Sequence, residues 1–172
     1  MHIHEALARF EGPLIAYAVS LLHDVDRARD VVQDTFVRLC EQDPRPVDAA
    51  LPSWLYTVCR NRALDVLRKE TRMQPLDENT ARQRPSRHPG PATLAASRDQ
   101  ADHALRVLAG LPSNQQEVLE LKLRHHLTYA EISKITGHSV SNVGFLIHTG
   151  LRALRARLGV VEARSPSSGG AC

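Results

Sequence analysis

From Met73 to Thr93 the chain reads MQPLDENTARQRPSRHPGPAT, with four prolines, many charged and amide side chains and almost nothing to bury. A stretch of this kind hides too little apolar surface to offset the entropy lost on ordering it, so it is expected to be a flexible linker over 73–94. This feature divides the 172 residues into two short pieces, each of which must find its own apolar core. The pieces are 1–72 and 95–158. The remainder, 159–172, ends in EARSPSSGGAC and is expected to be a disordered tail.

Neither piece alternates at period two with β-branched residues, so the predicted fold class is all-α, two small helical domains joined by the linker. Helices are expected over Ile3–Leu22, bent near Gly12 and Pro13, over Val25–Glu41 with Asp24 as N-cap, and over Ser53–Arg72. After the linker they are expected over Ala95–Ala109, from Pro112 to His126 with Ser113 and Gln116 as a capping box, over a short segment to Thr136 opened by the box Thr128 and Glu131, and from Ser139 to Leu158. Gly137 fits the left-handed position that closes the short helix.

Hydrophobic content is 42% but aromatics are only 4%, so the cores must be mostly aliphatic. Three cysteines with no CxxC pair argue against a disulfide framework or a zinc site and point to the reduced cytoplasm. Cys40 and Cys59 fall at helical core positions, where inert packing is the expected role. The opening MHIHEALARF lacks the pattern of a signal peptide, and no apolar run has membrane-spanning length, so membrane insertion is not expected.

Net charge is only +3, but it is segregated. Asp24–Asp43 holds six acids against three bases, whereas Ser53–Arg72 holds five bases against two acids. Two different partner surfaces follow from that division. On the second helix Val25, Ala28, Val32, Phe36, Leu39 and Cys40 make the core stripe. Outward lie Asp30, Gln33, Asp34, Val37 and Glu41, either a docking face for a basic protein or a solvated polar face.

On the third helix Leu55, Tyr56, Cys59, Ala63, Val66 and Leu67 gather on the core arc, and Trp54, Asn61, Asp65 and Arg68 line the opposite one, flanked by Arg62 and Lys69. A flat ring beside cations and an amide suits single-stranded nucleic acid, through stacking, phosphate contact and base-edge reading. The same pattern also fits a tryptophan folded back on the preceding loop beside an ordinary charged face.

Thr128–Leu158 has the layout of a helix-turn-helix, with Ser133 where the helices approach and Val143 and Ile147 pointing inward. Outward on its second helix are Ser141, Asn142, Phe145, Leu146, His148, Thr149, Arg152 and Arg155. A plain helical hairpin would share the layout but would not need the glycine and both caps.

Three segments in order, DRARDVVQDTFVRL, SWLYTVCRNRALDVLRKE and LPSNQQEVLELKLRHHLTYAEISKITGHSVSNV, resemble the bacterial sigma-70 family sigma factors of the extracytoplasmic-function (ECF) class. The resemblance runs from about Leu7 to Leu158. It implies that 1–72 is sigma region 2 and 95–158 is sigma region 4, and that the protein is not an enzyme. It implies a function, binding core RNA polymerase, directing it to particular promoters and assisting their melting. Asp30, Gln33, Asp34 and Val37 would grip the clamp of the large polymerase subunit, with Asp34 where the family's motif carries glutamate. Trp54, Arg60, Asn61, Asp65 and Arg68 would engage the minus-ten element, with the loop Asp43–Pro52 receiving a flipped base of the melted non-template strand. Ser141, Asn142, Phe145, His148, Arg152 and Arg155 would meet the minus-thirty-five element as duplex, while this domain sits on the polymerase flap and the linker threads near the RNA exit path. An anti-sigma protein is a further implied partner. The middle of the recognition helix departs from the family, since Gly144–Leu151 contains no Lys or Arg.

Two other readings compete. A stand-alone helix-turn-helix regulator binding operator DNA as a dimer would account for the C-terminal half and leave the acidic helix and Trp54 unused. A metal-dependent protein is invited by nine histidines, His2, His4, His23, His88, His103, His125, His126, His138 and His148. Their spacing brings no three ligands to one helical face, so no metal or other cofactor is expected.

Overall fold

The computed structural model describes residues 3–42, 49–73 and 107–158. Six helices organise them: α1 (Ile3–Leu22), α2 (Val25–Glu41), α3 (Leu51–Met73), α4 (Ser113–Leu123), α5 (Tyr129–Thr136) and α6 (Val140–Arg157). No strand occurs among the described residues. The expected linker beyond Met73, the tail, the loop positions 43–48 and most of the expected helix Ala95–Ala109 lie outside them, and only 107–109 of that helix are described, as helix.

The first three helices pack on one another. Their buried residues follow helical spacing: Ala6, Phe10, Leu14, Tyr17, Ala18 and Leu22 on α1, and Ala28, Val31, Val32, Thr35, Phe36 and Leu39 on α2. Leu51, Leu55, Tyr56, Cys59 and Ala63 complete this core from α3. A fully buried leucine such as Leu14 or Leu55 contributes about 1.5–3 kcal/mol. That burial carries α1 through Pro13, which lies inside the helix and removes one backbone donor. Buried Thr35 donates its hydroxyl to the Val31 carbonyl at 2.8 Å, so its polarity is satisfied within α2.

Asp24 caps α2 as expected, its carboxylate accepting from the Arg27 amide at 3.0 Å. Two members of the expected α2 stripe are corrected. Val25 is exposed because it sits in the first turn, beyond the reach of the bundle, and Cys40 is exposed because it lies one step round the helix from buried Leu39. Cys59 is buried as expected.

In the second group, α4 and α5 both pack on α6. Local chemistry fixes the ends of α5. Thr128 and Glu131 form the reciprocal capping box, and Gly137 takes φ 77°, a left-handed angle that disfavours any side chain. Ser139 then caps α6 by accepting from the Asn142 amide. Ser133 Oγ donates to the His138 carbonyl at 2.6 Å and ties the turn to α5. The expected box at Ser113 and Gln116 does not form. Pro112 is itself the cap, which puts Ser113 inside the helix, and Gln116 Nε2 instead donates to the carbonyls of Ala109 and Leu111.

The two glycines of α6 differ in what surrounds them. A Cβ on Gly150 would lie 2.8 Å from Cδ1 of fully buried Leu119, so the missing side chain is what lets α4 and α6 approach. A Cβ on Gly144 would lie 3.6 Å from the Tyr129 ring, an ordinary contact. Gly150→Val should therefore destabilise by about 1–3 kcal/mol through overpacking. Gly144→Ala should stabilise by up to about 1 kcal/mol through helix propensity. Urea melts of both variants check this, and a Gly150→Val melt matching the parent would contradict the packing argument.

The two groups meet. Helix α3 packs on α5, and the buried side chains of both groups form one continuous apolar cluster that includes Leu111, Val118, Leu127 and Ile132. The two expected helical domains are present, and they lie against each other through α3 and α5.

Candidate nucleic-acid and protein interfaces

Three surfaces hold the expected site residues. On α2, Asp30 and Gln33 are exposed and Val37 stands 49% exposed among them. Asp34 leans toward α3 instead, where the Arg62 guanidinium pairs with its carboxylate. A second tie between the same helices joins Arg27 to Glu70. The polar face of α2 is thus partly spent on holding α3, and Asp30, Gln33 and Val37 are its outward portion.

On α3 the five expected residues separate. Asn61 and Arg68 are exposed, and Asp65 pairs with Arg68 at 3.3 Å. Trp54, seven positions before Asn61, lies on the same stripe of the helix, half-buried and packed on the core. The ring is therefore neither fully free nor part of the interior. Arg60 leaves the group altogether. Its side chain is 18% exposed and reaches α4, donating from Nε to Glu117 Oε1 at 2.7 Å and from a terminal nitrogen to Oε2 at 3.1 Å.

On α6, Ser141, Asn142, His148, Arg152 and Arg155 are exposed, as is Phe145 at 63%. Val140 and Tyr129 are exposed beside them. Leu146 is corrected, since it is buried with Val143 and Ile147 on the inward face. Only one of the two large apolar residues in the middle of this helix is therefore presented outward. Thr149 is half-buried and donates to the Phe145 carbonyl at 2.8 Å.

The residues around Arg60 form a cluster that the sequence did not single out. Tyr17 Oη on α1 donates to the same Glu117 Oε1 at 2.7 Å. Tyr56 Oη on α3 bonds His125 Nδ1, just beyond α4, at 2.8 Å. The three rings pack together, with centroids 5.3 Å apart for Tyr17 and Tyr56, 5.0 Å for Tyr56 and His125, and 5.9 Å for Tyr17 and His125. A sequence signal existed. A tyrosine on a core stripe needs a partner for its hydroxyl, and α1 and α3 each carry one.

Burial, then the negative charge of Glu117, holds the Tyr17 phenol well above its ordinary value. Burial does the same to Tyr56 and pushes the Cys59 thiol up from 9.0 to about 12. Hydrogen bonds to Glu117 raise the Arg60 guanidinium. Tyr17, Tyr56 and Cys59 keep their protons to higher pH in the folded chain than in the unfolded one. Once pH passes about 9 the folded state binds more protons, so stability present below pH 9 declines as pH rises toward 12. Urea melts from pH 7 to 11 should lose a few kcal/mol over the upper two units. A flat profile would contradict the burial of these groups.

Comparison with known proteins agrees with this geometry. The sigma-70 region 2 family matches residues 7–73, and the sigma-70 region 4 family matches residues 103–154. The chain is 31% identical over 147 residues to the ECF RNA polymerase sigma factor EcfG of Rhodopseudomonas palustris, covering 84% of this chain and 78% of that one. It is 29% identical over 144 residues to the ECF RNA polymerase sigma factor SigL of Mycobacterium tuberculosis, covering 83% of this chain and 80% of the relative. Among solved structures, the sigma factor RpoE in complex with the anti-sigma factor NepR from Bartonella quintana superposes with a TM-score of 0.73 at 23% identity, over 91% of this chain and 96% of that one. CnrH in complex with the cytosolic domain of CnrY gives 0.60 at 24% identity, over 92% and 88%. Two helical groups, a capped helix-turn-helix and these relatives lead to one conclusion: the chain belongs to the sigma-70 family of RNA polymerase sigma factors, in its ECF class.

Proposed function

We propose that this sigma factor carries out its work, directing RNA polymerase to promoters, through three surfaces with distinct partners. The outer face of α2, with Asp30, Gln33, Asp34 and Val37, docks on the clamp of the large subunit of core polymerase. Exposed acids around a half-exposed valine suit a basic protein partner and repel DNA. The α3 face, with Trp54, Asn61, Asp65, Arg68 and, once released from Glu117, Arg60, takes the melted non-template strand of the minus-ten element. The α6 face takes the minus-thirty-five duplex. Ser141, Asn142, Phe145 and His148 read base edges or thymine methyls, and Arg152 and Arg155 meet phosphates. The domain of α4–α6 sits on the polymerase flap, and the chain works in the cytoplasm without catalysis of its own.

The observation that carries this reading is the capped turn between α5 and α6, which leaves the first two turns of α6 exposed along one arc. A stand-alone dimeric regulator is not favoured, because it gives no role to α2 or to the region 2 half. An anti-sigma protein is a further proposed partner, supported by the complexes in which both solved relatives occur. Exposed Phe145 offers such a protein an apolar contact. Run-off transcription with core polymerase on a genomic promoter library tests the function. Selective start sites are expected, and initiation no different from core enzyme alone would refute it.

A further inference from the structure

From Val140 to Leu151, α6 carries no Asp, Glu, Lys or Arg, and its arginines begin only at Arg152. His148 is the one side chain of that stretch able to take a charge near neutral pH. It is exposed, on the same stripe of the helix as Ser141, Phe145 and Arg152. Resting on the reading of α6 as the minus-thirty-five surface, we infer that His148 is a conditional cation of that surface. It binds the upstream duplex in its protonated form, so pH across the neutral range sets how tightly promoters are held.

Duplex binding draws chiefly on cations that neutralise phosphates. Without His148, α6 offers them only in its last two turns. A protonated imidazole adds one charge and donates from both ring nitrogens, whereas the neutral ring donates from one and accepts at the other. Phosphate oxygens and the guanine edge are acceptors, so they favour the protonated ring. Binding then takes up a proton. It is tight below the range near pH ~6.5 where imidazoles change charge, and it weakens as pH rises through that range.

The surroundings leave this charge to the DNA. His148 makes no hydrogen bond or ion pair with another of the described residues. From α4, uncharged Gln115 meets this part of α6, donating to Thr149 Oγ1 at 3.3 Å. The acids of α4 are engaged elsewhere, Glu117 by Arg60 and Tyr17 and Glu120 by Arg124. From α5, the Tyr129 ring lies against Gly144 with Lys122 over it, Glu131 closes the capping box, and Lys134 is exposed. The charges on α6 itself are arginines. No carboxylate therefore neutralises an imidazolium at 148 within the described chain, and duplex phosphates are the anions left to do so. His138, in the turn before α6, is the nearest histidine in sequence, and its carbonyl accepts from Ser133.

The test uses holoenzyme assembled from core polymerase and the full chain. Its probe is a fluorescent duplex of a promoter recovered by the run-off screen. Anisotropy reads the affinity at pH 6 and pH 8 over a series of salt concentrations. The parent should bind about tenfold more weakly at pH 8. Its salt slope should be steeper at pH 6 by about 0.9, the value for one further phosphate contact. His148→Gln should bind weakly at both pH values, with less than a twofold change between them and one common salt slope. His148→Lys should bind tightly at both. His138→Gln should keep the parent's pH dependence. A tenfold fall that persists in His148→Gln, or a flat profile in the parent, would overturn the inference while leaving the sigma-factor reading intact. A screen that recovers no promoter refutes that reading and removes this inference with it.

Discussion

Reversing both acids, Asp30→Arg with Asp34→Arg, should weaken capture of core polymerase on the order of a hundredfold, since like charges facing across an interface cost several kcal/mol. The single change Asp30→Arg should account for about tenfold of this and leave the melting temperature close to that of the parent, because Asp30 is exposed. Asp34 is different. It already pairs with Arg62, so Asp34→Arg both removes an acid from the proposed docking helix and places two cations together between α2 and α3. Adding Arg62→Asp restores the internal pair and separates the two effects. If the restored pair recovers stability but not capture, Asp34 contacts polymerase directly. If it recovers both, Asp34 acts by holding α2 against α3. Capture of core enzyme by the double-reversed chain at parental affinity would remove the docking face from α2.

The second large effect is expected on α6. Asn142→Ala and Phe145→Ala together should reduce promoter-specific transcription on the order of a hundredfold, while binding to core polymerase stays within twofold. A well-placed amide contact to a base is worth about 1–3 kcal/mol, and a ring pressed on a thymine methyl adds apolar burial. Neither substitution should disturb the fold. Asn142 is exposed and lends only its backbone amide to the Ser139 cap, which alanine retains, and Phe145 is 63% exposed. If Phe145→Ala instead preserves transcription and abolishes binding of an anti-sigma protein, that ring belongs to a protein interface. Transcription unaffected by both changes would move upstream recognition away from this helix, leaving Arg152 and Arg155 with phosphate contacts and no base reading beside them.

Phe145 also shows how the recognition helix escapes its unusual composition. With no cation between Gly144 and Leu151, the sequence put both Phe145 and Leu146 outward. The structure turns Leu146 into the core and keeps Phe145 out. Adjacent helical residues are about 100° apart, so a small rotation of the helix about its axis decides which of two neighbours is buried. That rotation is set by what α4 and α5 present, above all by Leu119 closing on Gly150. Periodicity within α6 does not contain that information.

The chain's local order determined its helices and most of their ends. Asp24, the pair Thr128 and Glu131, Gly137 and Ser139 could all be read in advance, because a cap satisfies backbone groups only a few residues away. The outward acids of α2, the Asn61–Arg68 stripe and the exposed arc of α6 were legible for the same reason, through spacing along single helices. Pairings across distance were not legible. Arg60 and Glu117 are 57 positions apart and Tyr17 and Glu117 are 100 apart, and no local pattern says which carboxylate a guanidinium will choose. Only the packing of α3 against α5, which brings Glu117 of α4 within reach, decided that Arg60 is held inside while Asn61, its neighbour, faces water, because burial leaves a charged group only the partners that packing brings within reach.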